Sequence, residues 1–257
     1  MKRIICLLGL GFLLMTGISF AEEKDELQVT MGIKTWYNTW SEQFNTGYGT
    51  GRDRFYKSTS DPVLSIGPTI SFKKGQYFGG VTYLQAVSDY KTDFTYRTSA
   101  TARTHTTEST SRYDIDGLAG YYFHPRVGGF VGYKYAHVGM KRTEDYLDNS
   151  GNRPDGKTEK LSVNIYGPVL GLTANYPLGT TGLTPFANLS YYWVKQINKT
   201  EPADSANMSG PSIELGIGYA AYKNLTLTAA YKYQIFYGTT YDDVTFKGPS
   251  FSVNYTF

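Results

Sequence analysis

GPSFSVNYTF, residues 248–257, is the stretch from which the fold can be read. Phe251, Val253, Tyr255 and Phe257 alternate with Ser250, Ser252, Asn254 and Thr256. That is the period-two pattern of a strand whose two faces meet different surroundings. The opposite end of the chain, MKRIICLLGLGFLLMTGISFA at residues 1–21, has a basic start, an apolar run and small residues at Ser19 and Ala21. It reads as a cleaved secretory signal, with residues 22–257 as the exported domain. The single cysteine, Cys6, falls inside that signal, so no disulfide, thiol nucleophile or cysteine metal site is expected.

Removing Lys2 and Arg3 takes Lys+Arg from 25 to 23 against 22 Asp+Glu, a net charge of +1, and nucleic acid is therefore not an expected partner. Beyond residue 21 no run of about 18 apolar residues occurs. Ten alternating segments recur instead: 27–40, 63–72, 77–90, 112–123, 127–140, 161–176, 183–195, 210–221, 225–237 and 247–257. Their connections alternate between long polar stretches and short turns such as KKGQ, HPR and YKN. A sheet that closes on itself across a membrane sorts its loops in this way, with tight turns on the side of insertion and long loops outside.

The signal, the ten segments and a terminal Phe257 preceded by Tyr255, Val253 and Phe251 resemble the outer-membrane β-barrels of Gram-negative bacteria. The resemblance implies an all-β, transmembrane, antiparallel up-and-down barrel of about ten strands with short periplasmic turns and long extracellular loops. It further implies outer-membrane lipid and lipopolysaccharide as surroundings, and a monomer. It also implies that the last strand is an assembly signal read by the barrel assembly machinery.

In such a barrel Phe251, Val253, Tyr255 and Phe257 face lipid, because hydrocarbon offers nothing to a hydroxyl or amide. Parity is ambiguous in the third segment, where Gln85 is placed inward. Pro168, Pro211 and Pro249 each precede an aromatic residue (Tyr176, Tyr219, Phe257) by eight positions, and Pro68 sits similarly in the second segment. They are expected to mark the outer rim, where a missing N–H is tolerated at a strand's first residue or at a bulge.

The lumen carries the chemistry. Lys34, Lys134 and Lys232 have inward parity. If YKN and HPR are tight turns, Glu214 falls opposite Lys232 and Asp116 opposite Lys134; Asp114, one inward step above Asp116, can join the network. Opposed charges in a narrow lumen either fill and fix the barrel or form a constriction that selects a small solute. Nearer the outer mouth Trp36, Trp40, Tyr192 and Phe236 share the inward face, as a closing plug or a platform for a flat ligand.

Three histidines, His105, His124 and His137, are scattered, and no Ser–His–acid spacing appears. Carboxylates at Glu144, Asp145, Asp242 and Asp243 keep open an omptin-like or lipid-modifying enzyme as a minor alternative. No metal site and no cofactor are expected. The Thr/Ser-rich stretch YRTSATARTHTTESTS, residues 96–111, reads as a low-complexity mobile loop. The expected function is a non-enzymatic barrel with a narrow charged lumen, either porin-like for small solutes or closed. The alternative is a surface adhesin that binds a ligand through its loops.

Overall fold

The structure is a computed structural model that describes residues 26–45, 55–97, 103–147, 156–200, 205–238 and 243–257. The expected signal, residues 1–21, and Asp242 lie outside the described residues. Twelve strands follow in order: β1 (Gln28–Asn45), β2 (Phe55–Thr59), β3 (Val63–Lys74), β4 (Tyr77–Ala86), β5 (Tyr90–Arg97), β6 (Arg103–His124), β7 (Val127–Leu147), β8 (Lys157–Asn175), β9 (Leu183–Asn198), β10 (Ala206–Tyr222), β11 (Leu225–Gly238) and β12 (Asp243–Thr256).

Ten of them form the wall. β1, β3, β4 and β6 to β12 pair antiparallel in sequence order, and β12 pairs back onto β1 to close the barrel. β2 and β5 are outward continuations of β3 and β4, pairing with the ends of β1 and β6. Closure leaves the ten-strand wall no free edge strand, the condition for a sheet to cross hydrocarbon.

The outward face confirms the reading of the last strand: Phe251, Val253, Tyr255 and Phe257 are 44–69% exposed. Met31, Ile70, Val131, Leu170, Leu215 and Leu227 continue the same apolar band. Exposed tyrosines border it at both ends, among them Tyr77, Tyr121, Tyr176 and Tyr219 at the short-turn end and Tyr37, Tyr133, Tyr191 and Tyr233 at the other. An apolar belt between aromatic girdles identifies a membrane-spanning barrel.

Both hairpin registers come out as the turn lengths require, with Glu214 opposite Lys232 and Asp116 opposite Lys134. Each turn closes one residue tighter than expected, Tyr222 to Leu225 and His124 to Val127, and an adjoining bulge restores the register.

Three expectations are corrected. Gln85 faces outward: Leu84 is the buried neighbour, and Gln85 accepts a 2.5 Å hydrogen bond from Tyr83 Oη on the lipid side. This position lies at the girdle, where an interfacial amide is tolerated. Residues 103–111, taken as part of a mobile loop, are the upper half of β6, laddered to β5 and β7. Their alternation is of polar residues, with Thr104, Thr106, Glu108 and Thr110 buried, so β-branched threonine rather than hydropathy makes the strand.

The third concerns the prolines, which do not begin strands: β8 starts at Lys157, β10 at Ala206 and β12 at Asp243. Each belongs to a Gly-Pro pair that interrupts one ladder only. Gly67–Pro68 breaks pairing with β4, Gly167–Pro168 with β9, Gly210–Pro211 with β11 and Gly248–Pro249 with β1, while the ladder on the other side runs through. The missing proline N–H thus falls in a two-residue gap of one ladder, and the register is the same on both sides of that gap, so neither a strand start nor a bulge accommodates it. The glycine of each pair stands opposite an inward residue of the intact ladder: Lys34, Lys134, Tyr192 and Lys232 respectively.

Candidate functional site

The inward faces of the strands build three layers. The middle layer holds the charges. Asp114 on β6 accepts two bonds from the guanidinium of Arg112, at 2.6 and 2.7 Å, and a third contact of 2.7 Å from Lys134 Nζ on β7. Lys134, only 1% exposed, also reaches both oxygens of Asp116, at 3.1 and 3.4 Å. The buried cations are therefore hydrogen-bonded, as burial of charge demands.

The second half of the network differs from expectation. Glu214 on β10 faces Lys232 in register, yet it takes its 2.8 Å ion pair from Lys34 on β1. Asn188 Nδ2 and Ser250 Oγ donate to the same carboxylate at 3.2 and 3.3 Å. Closure brings β1 to within three strands of β10, so a long lysine crosses the lumen corner to an acid outside its own hairpin. Lys232 instead lies over the Trp36 ring, 4.9 Å from its centroid.

Above the charges is the aromatic layer. Trp36, Trp40, Tyr192 and Phe236 are all buried, at 8% exposure or less, and Phe246, Tyr90 and Arg112 complete the layer. Phe246 lies at the centre, 5.2 Å from Trp40 and 6.4 Å from both Trp36 and Phe236. The Arg112 guanidinium caps its ring at 3.6 Å, a cation over the negative face of the π system. Tyr90 Oη donates to Asn38 Oδ1 at 2.9 Å, Asn38 donates to the Trp36 carbonyl at 3.1 Å, and Trp36 Nε1 donates to the Gly248 carbonyl at 3.2 Å. The layer is thus cross-linked from β1, β5, β6, β11 and β12.

Phe246, Arg112 and Tyr90 were not among the residues singled out from the sequence. Phe246 has inward parity two positions before Gly248 and was legible in principle. Arg112 and Tyr90 fall at the boundaries assigned to their strands, where parity alone does not separate a wall residue from a loop residue.

Below the charges lies a chamber of about 480 Å³. Lys34, Glu214, Lys232, Tyr192 and Leu84 line its upper end, and Gln28, Lys73 and Thr173 line it near the short turns. Above the plug, the extended walls of β5 to β7 hold Glu108, bonded to Arg142 at 2.5 Å and to Thr92 at 3.2 Å, and Tyr56 of β2 stacks on Phe94 of β5 at 5.3 Å.

The histidines lie far apart in the wall. His137 faces outward and bonds Asn164 at 2.9 Å, His124 accepts from the Arg126 amide at 3.2 Å, and His105 meets Asp93 at 3.4 Å. Among the described residues none is hydrogen-bonded to a serine hydroxyl. Asp145, Glu144 and Asp243 stand on separate strand ends of β7 and β12.

Similarity to solved structures agrees with this architecture. The crystal structure of the outer membrane protease OmpT from Escherichia coli overlaps with a TM-score of 0.63 at 12% identity, covering 94% of this chain and 99% of that one. The translocator domain of the autotransporter NalP from Neisseria meningitidis overlaps at 0.46 with 12% identity, over 99% of this chain and 94% of that one. Neisserial surface protein A overlaps at 0.40 with 10% identity, over 90% and 99%. No protein-family model and no curated protein matches the sequence. The chain has the fold of an outer-membrane β-barrel, and at such identities the fold is what is shared.

Proposed function

We propose that the protein is a closed, non-conducting outer-membrane barrel that presents its extracellular sheet to the surroundings and a polar chamber to the periplasm. The observation that carries this reading is the plug: Phe246 and Phe236 at 0% exposure, with Arg112 and the two tryptophans packed around them. A hydrophobic layer without a water path stops ions even where charged residues lie directly below. Refolded protein in a planar bilayer is expected to show no unitary current steps. The Trp40→Ala/Phe246→Ala variant removes the centre of the plug and is expected to conduct. Stable single-channel openings of the unmodified protein would overturn the reading in favour of small-solute passage.

A second reading, surface binding through the extracellular part, is supported by the length of β6 and β7, which run well above the girdle as a laddered, threonine-rich wall. It places any ligand on a rigid element instead of a mobile loop. Phe251, Val253, Tyr255 and Phe257, outward on the strand that closes the barrel, are proposed as the segment read during assembly.

The outer face also suits phosphorylated glycolipid. Lys91, Ser109, Lys141 and Lys160 share one rung across β5 to β8, and Lys199 adjoins it through its amide bond to the Ser162 carbonyl at 2.7 Å. These lysines are exposed above the tyrosine girdle, where Asp89 accepts from Ser109 at 2.5 Å. At about 1 kcal/mol per lysine near an anionic surface, the Lys141→Gln/Lys160→Gln/Lys199→Gln variant is expected to weaken lipopolysaccharide binding on the order of a hundredfold. Thermal stabilisation by lipid A, compared with its dephosphorylated form, is the readout; an unchanged difference between the two lipids removes the assignment.

A further inference from the structure

The β10–β11 hairpin carries three polar side chains, side by side on its inward face, that the barrel itself does not use. Lys232 stands opposite Glu214, but that carboxylate is occupied by Lys34, Asn188 and Ser250. Among the described residues no carboxylate lies within ion-pair distance of the Lys232 ammonium, whose neighbour is the Trp36 ring. Ser212, one inward step above Glu214, is 4% exposed, and its hydroxyl makes no hydrogen bond among the described residues. Directly across from Ser212 is Gln234, fully buried, with neither amide atom hydrogen-bonded.

A folded barrel seldom leaves three adjacent buried or half-buried polar groups without hydrogen-bond partners. Two of them, Lys232 and Ser212, line the top of the chamber, and Gln234 lies directly behind. The charge of the layer points the same way: among the described residues Lys34, Arg112, Lys134 and Lys232 face Asp114, Asp116 and Glu214, four cations to three acids. The cation without an ion pair, Lys232, borders the chamber. Its volume of about 480 Å³ is within the usual range for small-molecule sites, and Lys34 and Thr30 add further donors to its wall.

We propose that the periplasm-facing chamber is a binding site for a small oxyanion, a carboxylate or phosphate group, seated on Lys232 Nζ and Ser212 Oγ with the Gln234 amide behind them. Ammonium and hydroxyl are donors matched to such an oxygen cluster, and binding supplies the acceptor that the lumen lacks. Solute enters from the short-turn end and stops at the plug. The inference rests on the closed reading for that direction of entry. Its test is separate, because occupancy is measured in micelles, where bilayer conductance plays no part.

Trp36 is a built-in reporter, since the ammonium that would turn to the ligand lies 4.9 Å from its ring. Refolded protein is titrated with inorganic phosphate and, separately, with acetate, at ionic strength held constant with chloride, while tryptophan emission is followed. A saturable change with either anion, absent with chloride, is expected. The half-saturation point should move roughly tenfold or more in Lys232→Met and less in Ser212→Ala, as loss of a charged and of a neutral donor requires. Lys232→Arg keeps the charge and is expected to retain saturable binding, and Lys247→Gln, on the outward face, should titrate as the unmodified protein does. Folding of each variant is checked by its heat-dependent electrophoretic shift. If the unmodified protein gives no saturable response, or if folded Lys232→Met saturates at the same concentration, the site does not exist; phosphate and acetate together report which oxyanion it takes.

Discussion

Asp114→Ala is expected to lower the unfolding free energy of the barrel by about 3–5 kcal/mol, the range for removing one partner of a buried ion pair. The carboxylate holds Arg112 through two bonds and Lys134 through a third, and its side chain sits among groups that are almost wholly out of solvent. Without it, Lys134 keeps only Asp116, and Arg112 loses its sole carboxylate among the described residues while its Nη1 already lacks a partner. The plug should loosen together with the network, because the same guanidinium caps Phe246. Urea unfolding in phospholipid vesicles, followed by tryptophan emission, measures the loss. Replacing the triad as a unit, Arg112→Met/Asp114→Leu/Lys134→Met, removes all three charges and is expected to cost less than the single substitution. A single variant as stable as the unmodified barrel would mean that the triad is solvated and contributes little.

The ten wall strands were legible because lipid imposes a strict test on every second residue, and the last strand passes that test without exception. Two registers across the lumen were legible for a related reason: a short turn fixes which residues oppose each other. Glu214 and Lys232, Asp116 and Lys134 come out opposed because the bulge beside each turn offsets the one-residue tightening of the turn. Lys134 bonds the acids it was expected to meet, but the partner of Glu214 was not legible. Lys34 reaches Glu214 only because β12 closes on β1, and a pairing made by closure has no signature within either hairpin.

Two other failures have local causes. Gln85 misled because the girdle accepts amides on the outside, so polarity loses its meaning as a guide to the inward face there. The upper half of β6 misled because its buried positions are Thr104, Thr106, Glu108 and Thr110, which pack against other polar strands above the membrane. Hydropathy sees no alternation where both faces are hydrophilic. Arg112 joins these two regions as the last buried cation below the threonines and the first group of the plug, and an assignment that starts the strand at that residue hides its role.

Gly167→Ala and Gly248→Ala are each expected to destabilise the barrel by about 1–3 kcal/mol, the cost of forcing an added methyl into a closed wall. At all four Gly-Pro pairs a Cβ on the glycine would fall on a carbonyl oxygen of the adjacent strand: Tyr83 for Gly67, Trp193 for Gly167, Ile235 for Gly210 and Tyr37 for Gly248. The obstacle is backbone, which no rotamer change can move, and it lies in the ladder gap beside the proline. Gly129 supplies the contrast. It faces lipid on β7, and its nearest would-be neighbour is the Phe123 ring at 3.8 Å, so Gly129→Ala meets ordinary van der Waals contact. There the smaller conformational freedom of alanine in the unfolded chain should raise stability by about 0.5–1 kcal/mol. Opposite signs at two glycines of neighbouring strands, read as urea midpoints in the same vesicles, would establish that the Gly-Pro pairs are close-packed joints of the wall. Equal shifts at Gly129 and Gly167 would instead reduce the pairs to breaks in the ladder with no packing role.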